Sequence, residues 1–472
     1  MNRVILGVAG LAVALAASSA DAGQAKYVFM MIGDGMAMAQ RNAAALYLAN
    51  AQGDGLKPGV VPLTMDRLPV QGMATTYSAN AVITDSAAAV TALATGRKTN
   101  SGVINMDPAG REKYTPLSVL AHDKGYKIGV VTSVSIDHAT PAGYYAHAAG
   151  RSDYYGIAMQ MLDSGFEYFA GGAVLEPTGK KKDKTSFYDV AKAKGYTVTQ
   201  GRDAFAALKP GMKKIFAENP VRADENALPY ALDAKADSIP LAEFTKKGIE
   251  LLQGGKFFMM VEGGKIDWAC HANDPGASIG DTVAFDAAVQ VAYDFYRQHP
   301  NETLIIVTDD HETGGLAIGF AGTKYGNAIK KVTDQKGSYI AFGEKFKALK
   351  AAKADLAFAD VLPLIKEVYG LTPADLAPFQ IEALKTAFAA GMNPADDPKK
   401  RDAQSYLLYG SYDPLAVTLN HLVSNASGLA WTTYSHTGVP VPVSAVGAES
   451  ASFAGFYDNT DIARKTMAAM GL

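Results

Sequence analysis

Three short runs of almost unbroken apolar residues each end in acidic or histidine side chains. Residues 26–32 (KYVFMMI) run into Gly33-Asp34-Gly35, residues 256–261 (KFFMMV) into Glu262, and residues 303–308 (TLIIVT) into Asp309-Asp310-His311. A strand that is apolar on both sides of its pleat must be buried on both faces, as in a parallel sheet covered by helices. A fourth run, residues 127–133 (KIGVVTS), follows a helical pattern that opens at Thr115-Pro116 and stops at Gly125, with the capping residue, first-turn proline and terminal glycine expected of a helix. Helical patterns over residues 38–50 and 281–298 complete the alternation. The expected fold is α/β: a three-layer α/β/α sandwich with a mostly parallel central sheet. Ligands of such sheets bind beyond the carboxyl ends of the strands, where Asp34, Glu262, Asp310 and His311 all fall.

Two stretches break this rhythm. Residues from about 172 to 240 are Lys-rich with weak strand signals, and residues from about 322 to 430 carry Ala/Lys/Leu helical patterns, such as those at 344–354 and 373–390. The second stretch reads as a helical insertion over the core, because chemistry-bearing residues resume only at His436. No internal repeat or low-complexity linker forces a boundary, so residues 23–472 read as one domain interrupted at about 322–430.

Composition narrows the function classes. With 44 Lys+Arg against 47 Asp+Glu, a net charge of −3 and 48% apolar residues, the chain is neither disordered nor built to coat nucleic acid or an anionic membrane. The single Cys, Cys270, rules out an intrachain disulfide framework and a Cys-based zinc ribbon. The N-terminus has a short positive start, an apolar stretch over residues 4–17 and Ala20-Asp21-Ala22, which together read as a removable secretory signal at residues 1–22. The expected location is periplasmic or secreted, with no membrane anchor after the signal is removed.

Of the eight His, three stand beside carboxylates or Gly-rich turns. Asp267 and His271 are four apart and share one side of a helical turn, so both could hold one metal. Asp310-His311 sits at a strand end where the chain turns. A His and carboxylate set without Cys suits a catalytic Zn²⁺, although one such pair taken alone is equally an ordinary ion pair. Ser86 would open an Ala-rich helix ending at Gly96, placing its hydroxyl and the free N–H groups of the first turn at a phosphate site; Asp85 or Ser86 could equally be a simple N-cap. His122, His147, His299 and His421 read as structural, and Cys270 as a small buried residue.

Taken together, GDGM at 33–36, TDSAAAVTALATGRKTNSGVI at 84–104, HATPAGYYAHAAGR at 138–151, VEGGKID at 261–267 with His271, DDHETGG at 309–315 and SHTG at 435–438 resemble the alkaline phosphatases. The motifs fall in the family's order and span most of the chain. The resemblance implies hydrolysis of phosphate monoesters, with two Zn²⁺ and one Mg²⁺ per subunit, Ser86 as the nucleophile that becomes phosphoserine, and Arg151 as the group that grips phosphate. It implies one zinc on Asp267, His271 and His436, and a second on Asp34, Asp310, His311 and the Ser86 oxygen. Asp34 would bridge to the magnesium, completed by Thr140 and Glu262. It also implies small phosphate monoesters as partners and a homodimer; the charge balance argues against a nucleic-acid-binding module, and the need for zinc-bound alkoxide and hydroxide predicts activity that rises into alkaline pH.

Two positions depart from the best-known bacterial pattern: His138 stands where that branch has Asp, and Trp268 where it has Lys. In this the chain resembles the animal and cold-adapted marine branches, which makes His138 and Trp268 substrate-facing or supporting residues rather than ligands. The competing reactions are phosphodiester and sulfate ester hydrolysis on the same scaffold. The Pro and Arg that follow a sulfatase nucleophile are absent after Ser86, and Arg151 suits a terminal dianionic phosphate. A non-catalytic phosphate or metal scavenger would need the cradle without the nucleophile.

Overall fold

The structure, a computed structural model, describes residues 24–51 and 59–472; the expected leader, residues 1–22, lies outside the described residues. Its centre is a ten-stranded sheet built from β1 (Tyr27–Gly33), β2 (Val70–Thr75), β3 (Lys127–Ser135), β4 (Tyr168–Gly172), β5 (Thr197–Thr199), β6 (Ile215–Glu218), β7 (Phe257–Glu262), β8 (Thr303–Asp309), β9 (Val441–Gly447) and β10 (Gly455–Asp458). The strand order is β10-β2-β9-β8-β1-β7-β3-β4-β6-β5, parallel throughout except at β9, which runs antiparallel to both β2 and β8.

The unbroken apolar runs split between the two faces of this sheet. Val28, Met30, Ile32, Phe258, Met260, Leu304 and Ile306 enter one core, while Phe29, Met31, Phe257, Met259, Val261, Ile305 and Val307 enter the other. This is the period-two alternation of a strand covered on both sides, and each large side chain so buried contributes about 1.5–3 kcal/mol. Register then levels the strand ends: Ile32 lies opposite Glu262 on one side and Thr308 on the other, and Thr132 lies opposite Glu262.

Several boundaries differ from expectation. The Lys-rich stretch at 172–240 is no break in the fold: β5 and β6 join β4 as the parallel edge of the sheet. Their shortness hid them, since three- and four-residue strands leave little periodicity. The long helix runs Pro275–Gln298, starting earlier than its apolar pattern, because Asp274 caps it by accepting from Ala277 N and Pro275 takes the first position. The helix before β3 covers Leu117–Asp123, with Pro116 in the flanking extended position, and β3 runs on to Ser135.

Helices Tyr339–Ala352, Phe358–Tyr369, Pro378–Met392, Ala403–Tyr409 and Pro414–Ser427 follow the sheet's β8. Phe342, Phe346, Val361, Ile365, Leu384 and Leu419 form an apolar cluster of their own there. Polar contacts tie these helices to the site-bearing core. Asn420 Nδ2 donates to the Ala272 carbonyl at 2.8 Å, and His421 Nε2 meets Asn273 Oδ1 at 3.0 Å. Among the described residues no helix is long and apolar enough to cross a membrane.

Burial lowers the His421 pKa from 6.5 to about 4. The folded protein therefore binds the proton more weakly than the unfolded chain, and the stability this neutral imidazole allows is full above about pH 6.5 and lost as pH falls toward 4. Denaturant titrations should show His421→Gln losing less stability than the parent between pH 7 and 5.5, by up to about 1 kcal/mol; parallel curves would rule the effect out.

Candidate active site

Level strand ends place four buried carboxyl groups on one edge of the sheet. Asp34 follows β1, Glu262 ends β7, Asp310 follows β8, and Asp267 lies on the helix Lys265–His271 just beyond β7. Gly35, at φ +70°, lets the β1 turn come this close: a Cβ there would lie 2.6 Å from the Asp267 Cα. The Gly35 N–H donates to Asp310 Oδ1 at 3.2 Å, as does the His311 N–H at 3.0 Å.

Three imidazoles converge on this edge. His271 Nε2 is 3.1 Å from His436 Nε2 and 3.3 Å from Asp267 Oδ1, and His436 Nε2 is 3.6 Å from the same oxygen. His271 Nδ1 donates to the Tyr434 carbonyl at 2.6 Å and His436 Nδ1 to the Thr84 carbonyl at 2.8 Å. Each carbonyl fixes the tautomer, leaving both Nε2 lone pairs aimed at one point beside Asp267, the arrangement of supported metal-binding histidines. His311 Nε2 sits 3.2 Å from Ser86 Oγ, 3.1 Å from Asp310 Oδ2 and 3.6 Å from Asp34 Oδ1. Thr140 Oγ1 donates to Asp34 Oδ2 at 3.3 Å, and Thr132 donates to Glu262 Oε2.

These groups fit cations. Asp34 Oδ1, Asp310 Oδ2 and Glu262 Oε1 are buried with no hydrogen-bond partner among the described residues, a state that is costly for a carboxylate unless a cation answers it. Burial, with Asp310, Asp267 and Glu262 adding to it, drives the Asp34 carboxyl well above the usual range. Burial also takes Glu262 up to about 7 against the lowering Thr132 hydrogen bond. Burial works the same way on Asp267, but His271, His436 and His311 outweigh it and hold that carboxyl well below its ordinary value. Two sets have ligand atoms within 4.8 Å of one another: Asp34, Asp310 and His311, and Asp267, His311 and His436. The second tight set contains His311 where the motifs imply His271. We favour His271, because its Nε2 faces both Asp267 and His436 while the His311 Nε2 is turned to Asp34 and Asp310. The same crowding argues against His311 as a simple base for Ser86, since that nitrogen faces three oxygens.

The end of the site around Ser86 is built by the helix Ser86–Thr95. Asp85 is its N-cap, with Oδ1 accepting from Ala88 N at 3.0 Å, so Ser86 occupies the first helical position. The other oxygen of Asp85 accepts from Gly102 N and from Arg151 Nη1, both at 3.0 Å. One carboxylate thus orients both the helix start and the guanidinium. Ser86 and Arg151 line one cavity of about 420 Å³ with Trp268, Tyr339 and Tyr412. His138 lies between Arg151, 3.5 Å from its Nη2, and Trp268, with ring centres 5.6 Å apart. Burial, helped by Arg151, lowers the His138 pKa to about 3, so the imidazole stands neutral there.

The fold therefore brings together Asp34, Ser86, His138, Thr140, Arg151, Glu262, Asp267, Trp268, His271, Asp310, His311 and His436. Comparisons with known proteins identify the family. The family model described as alkaline phosphatase matches residues 25–472. The chain belongs to the alkaline phosphatase family.

Alkaline phosphatase 3 of Bacillus subtilis is 32% identical over 464 residues, covering 94% of this chain and 89% of that protein. The cold-active alkaline phosphatase of a psychrophilic Shewanella superposes with a TM-score of 0.76 at 30% identity, covering 94% of this chain and 99% of the other. A mutant of the TAB5 alkaline phosphatase from an Antarctic bacterium, solved with Mg bound in its M3 site, shares the fold at 23% identity and a TM-score of 0.64, covering 95% of this chain and 98% of that one. The protein is thus a metal-dependent alkaline phosphatase, a hydrolase of phosphate monoesters.

Motif reading left some residues of this alkaline phosphatase site unidentified. Thr132 holds Glu262, and Thr313 Oγ1 donates to Asp267 Oδ1 at 2.5 Å. Tyr339 and Tyr412 come from the helical stretch after β8, and Asp224 and Glu225 from the loop after β6. The threonines carry no sequence signal of their own, and the tyrosines and acids lie in the stretches that read as irregular. Asp85→Ala should cost about 1 kcal/mol in the helix cap and weaken inhibition by inorganic phosphate roughly tenfold through the unmoored Arg151. Denaturant melts and inhibition constants check the two effects separately, and unchanged phosphate inhibition would show that Asp85 only caps the helix.

Proposed function

We propose that this enzyme hydrolyses phosphate monoesters through phosphorylated Ser86. The observation that carries the reading is the meeting of Ser86 Oγ, at the start of its helix, with the Asp34, Asp310 and His311 cluster. Ser86 Oγ forms a bond to phosphorus as the ester P–O bond breaks and the alcohol leaves. Water then attacks phosphorus, the bond to Ser86 breaks, inorganic phosphate departs, and the hydroxyl of Ser86 is restored. Arg151 spends one donor on Asp85 and keeps others for phosphate oxygens. The N-terminal dipole of the Ser86 helix adds favourable charge at the same place.

Asp267, His271 and His436 would hold one zinc, and Asp34, Asp310, His311 and Ser86 Oγ the other. Asp34, Thr140 and Glu262 offer only oxygen donors, as suits magnesium. Bound there, the ions supply Lewis acidity to the entering and leaving oxygens. His138 and Trp268 border the phosphate end without joining these ligand sets. The sequence of residues 1–22 supports a periplasmic or secreted enzyme.

A homodimer is supported by exposed apolar side chains at the β10–β2 edge of the sheet and around Gly438. Phe456 and Met73 are register partners on β10 and β2, and Val82, Ile83 and Val439 are exposed beside Gly438. Light scattering should give twice the chain mass, and Phe456→Asp with Val82→Asp should shift it toward one; a monomeric parent would refute the assignment.

The reaction is tested with metal-loaded protein on an aryl phosphate monoester, the matching diester and the matching sulfate. The monoester should lead in kcat/KM by several orders of magnitude. Arg151→Ala should cut that value by roughly ten- to a hundredfold, the worth of a charge-assisted hydrogen-bond pair. A preference for diester or sulfate would overturn the assigned reaction.

A further inference from the structure

Phosphate needs only the part of the 420 Å³ cavity lined by Ser86, Arg151 and the histidines. The remaining wall is aromatic and acidic. Trp268, Tyr339, Tyr412 and Tyr154 supply ring faces and edges, and Asp224 and Glu225 supply carboxylates. Tyr339 and Tyr412 meet edge to face with centroids 5.7 Å apart, and Tyr339 continues to Tyr230 at 5.9 Å.

Lys265 shows what this wall attracts. It is fully buried, yet its Nζ lies 3.8 Å from the Tyr230 ring centre and 4.5 Å from that of Trp268, and it pairs with Asp224. An ammonium group is thus already held by aromatic faces and a carboxylate immediately behind the cavity. That pairing neutralises Asp224 and leaves the second carboxylate, Glu225, without a hydrogen bond or ion pair among the described residues.

Glu225 is held at the cavity by an unfavourable backbone. Glu225 and Asn226 both adopt left-handed conformations, at φ 49° and 56°, which non-glycine residues keep only where surrounding contacts enforce them. Those contacts are present: Asn226 Nδ2 donates to the Val174 carbonyl at 2.9 Å, Ala173 N to the Asn226 carbonyl at 3.0 Å, and Ala223 N to the Ala227 carbonyl at 2.9 Å. The loop is fixed to Ala173 and Val174, just after β4, so the carboxylate stands at a defined place in the cavity lining.

We propose that the outer wall selects phosphate monoesters whose alcohol carries an ammonium-type cation, with Glu225 supplying the charge and Trp268, Tyr339 and Tyr412 the aromatic faces. The inference rests on Ser86 acting as the phosphomonoesterase nucleophile in the same cavity. Aromatic faces beside a carboxylate are the chemistry that recognises quaternary ammonium groups. The same carboxylate repels esters whose alcohol portion is anionic.

The test uses the metal-loaded enzyme with phosphocholine and 3,3-dimethylbutyl phosphate, which differ in charge at nearly constant shape. The readout is the ratio of their kcat/KM values in the parent, in Glu225→Gln and in Glu225→Gly. The glycine variant suits the left-handed backbone and guards against misfolding of the first. Comparing ratios between variants cancels the intrinsic difference in leaving group. Both variants should lower the ratio roughly five- to tenfold, mainly through a higher KM for phosphocholine. A ratio unchanged in both variants overturns the proposal while leaving the phosphomonoesterase intact. Failure of the parent to turn over either ester or an aryl phosphate would instead overturn the role of Ser86, and this proposal with it.

Discussion

Asp34, Glu262, Asp267 and Asp310 face one another in a space from which water is largely excluded, and no arrangement of protein hydrogen bonds satisfies them all. Three of the four keep a buried oxygen with no hydrogen-bond partner among the described residues. The protein side answers this repulsion most fully at Asp267, where three imidazoles surround the carboxylate, and through His311 beside Asp34 and Asp310. Everything else about the site follows from the need to bring in positive charge. The parallel strands set the carboxylates level, Gly35 lets two turns approach, and the backbone carbonyls of Thr84 and Tyr434 hold two imidazoles with their lone pairs inward. A cation that binds only the folded cluster stabilises it, so metal binding and the integrity of the site are linked.

The phosphate end obeys the opposite logic. There the excess is of donors: the first N–H groups of the Ser86 helix, Arg151, and the imidazole of His138 close by. Asp85 moderates this excess by accepting from Ala88, Gly102 and Arg151 at once. Its pKa is lowered despite burial, chiefly by Arg151 and the two backbone N–H groups. The carboxylate therefore stays charged and keeps the guanidinium oriented before any substrate arrives. Preorganisation of this sort is what makes electrostatic stabilisation of a transferring phosphoryl group effective.

How much of this the sequence displays depends on how local the physical cause is. A strand covered on both faces announces itself as a continuous apolar run, and a turn at its carboxyl end as Asp, Glu or His after that run. The central strands and Asp34, Glu262, Asp310 and His311 could therefore be read directly. The Asp267–His271 spacing is legible for the same reason, because both lie on one helix, Lys265–His271. His436 is legible only through the family motifs, since what brings it to Asp267 is the pairing of the two-residue strand His436–Thr437 with Glu312–Thr313, more than a hundred residues earlier in the chain. Thr132 and Thr313 give no signal, because a threonine that steadies a carboxylate looks like any other. The edge strands β5 and β6 are too short to show a period, and only pairing with β4 makes them strands.

The aromatic wall marks the limit of local reading most clearly. Tyr339 opens the helix Tyr339–Ala352, which packs in an apolar cluster of its own, and Tyr412 lies in the turn between Ala403–Tyr409 and Pro414–Ser427; nothing in their immediate sequence distinguishes them from core aromatics. They are placed at the cavity by the Tyr339 N–H, which donates to Asp274 Oδ2 at 2.8 Å, and by Asn420 and His421, which dock the helix Pro414–Ser427 onto the turn after His271. The metal-facing floor is thus set by the sheet, and any change there disturbs the carboxylate balance. The wall is set by a loop and a separately packed group of helices, which can change without disturbing that balance. Chemistry and selectivity are carried by different layers of one cavity, and the strain kept at Glu225 lies in the layer where the core gains nothing from it.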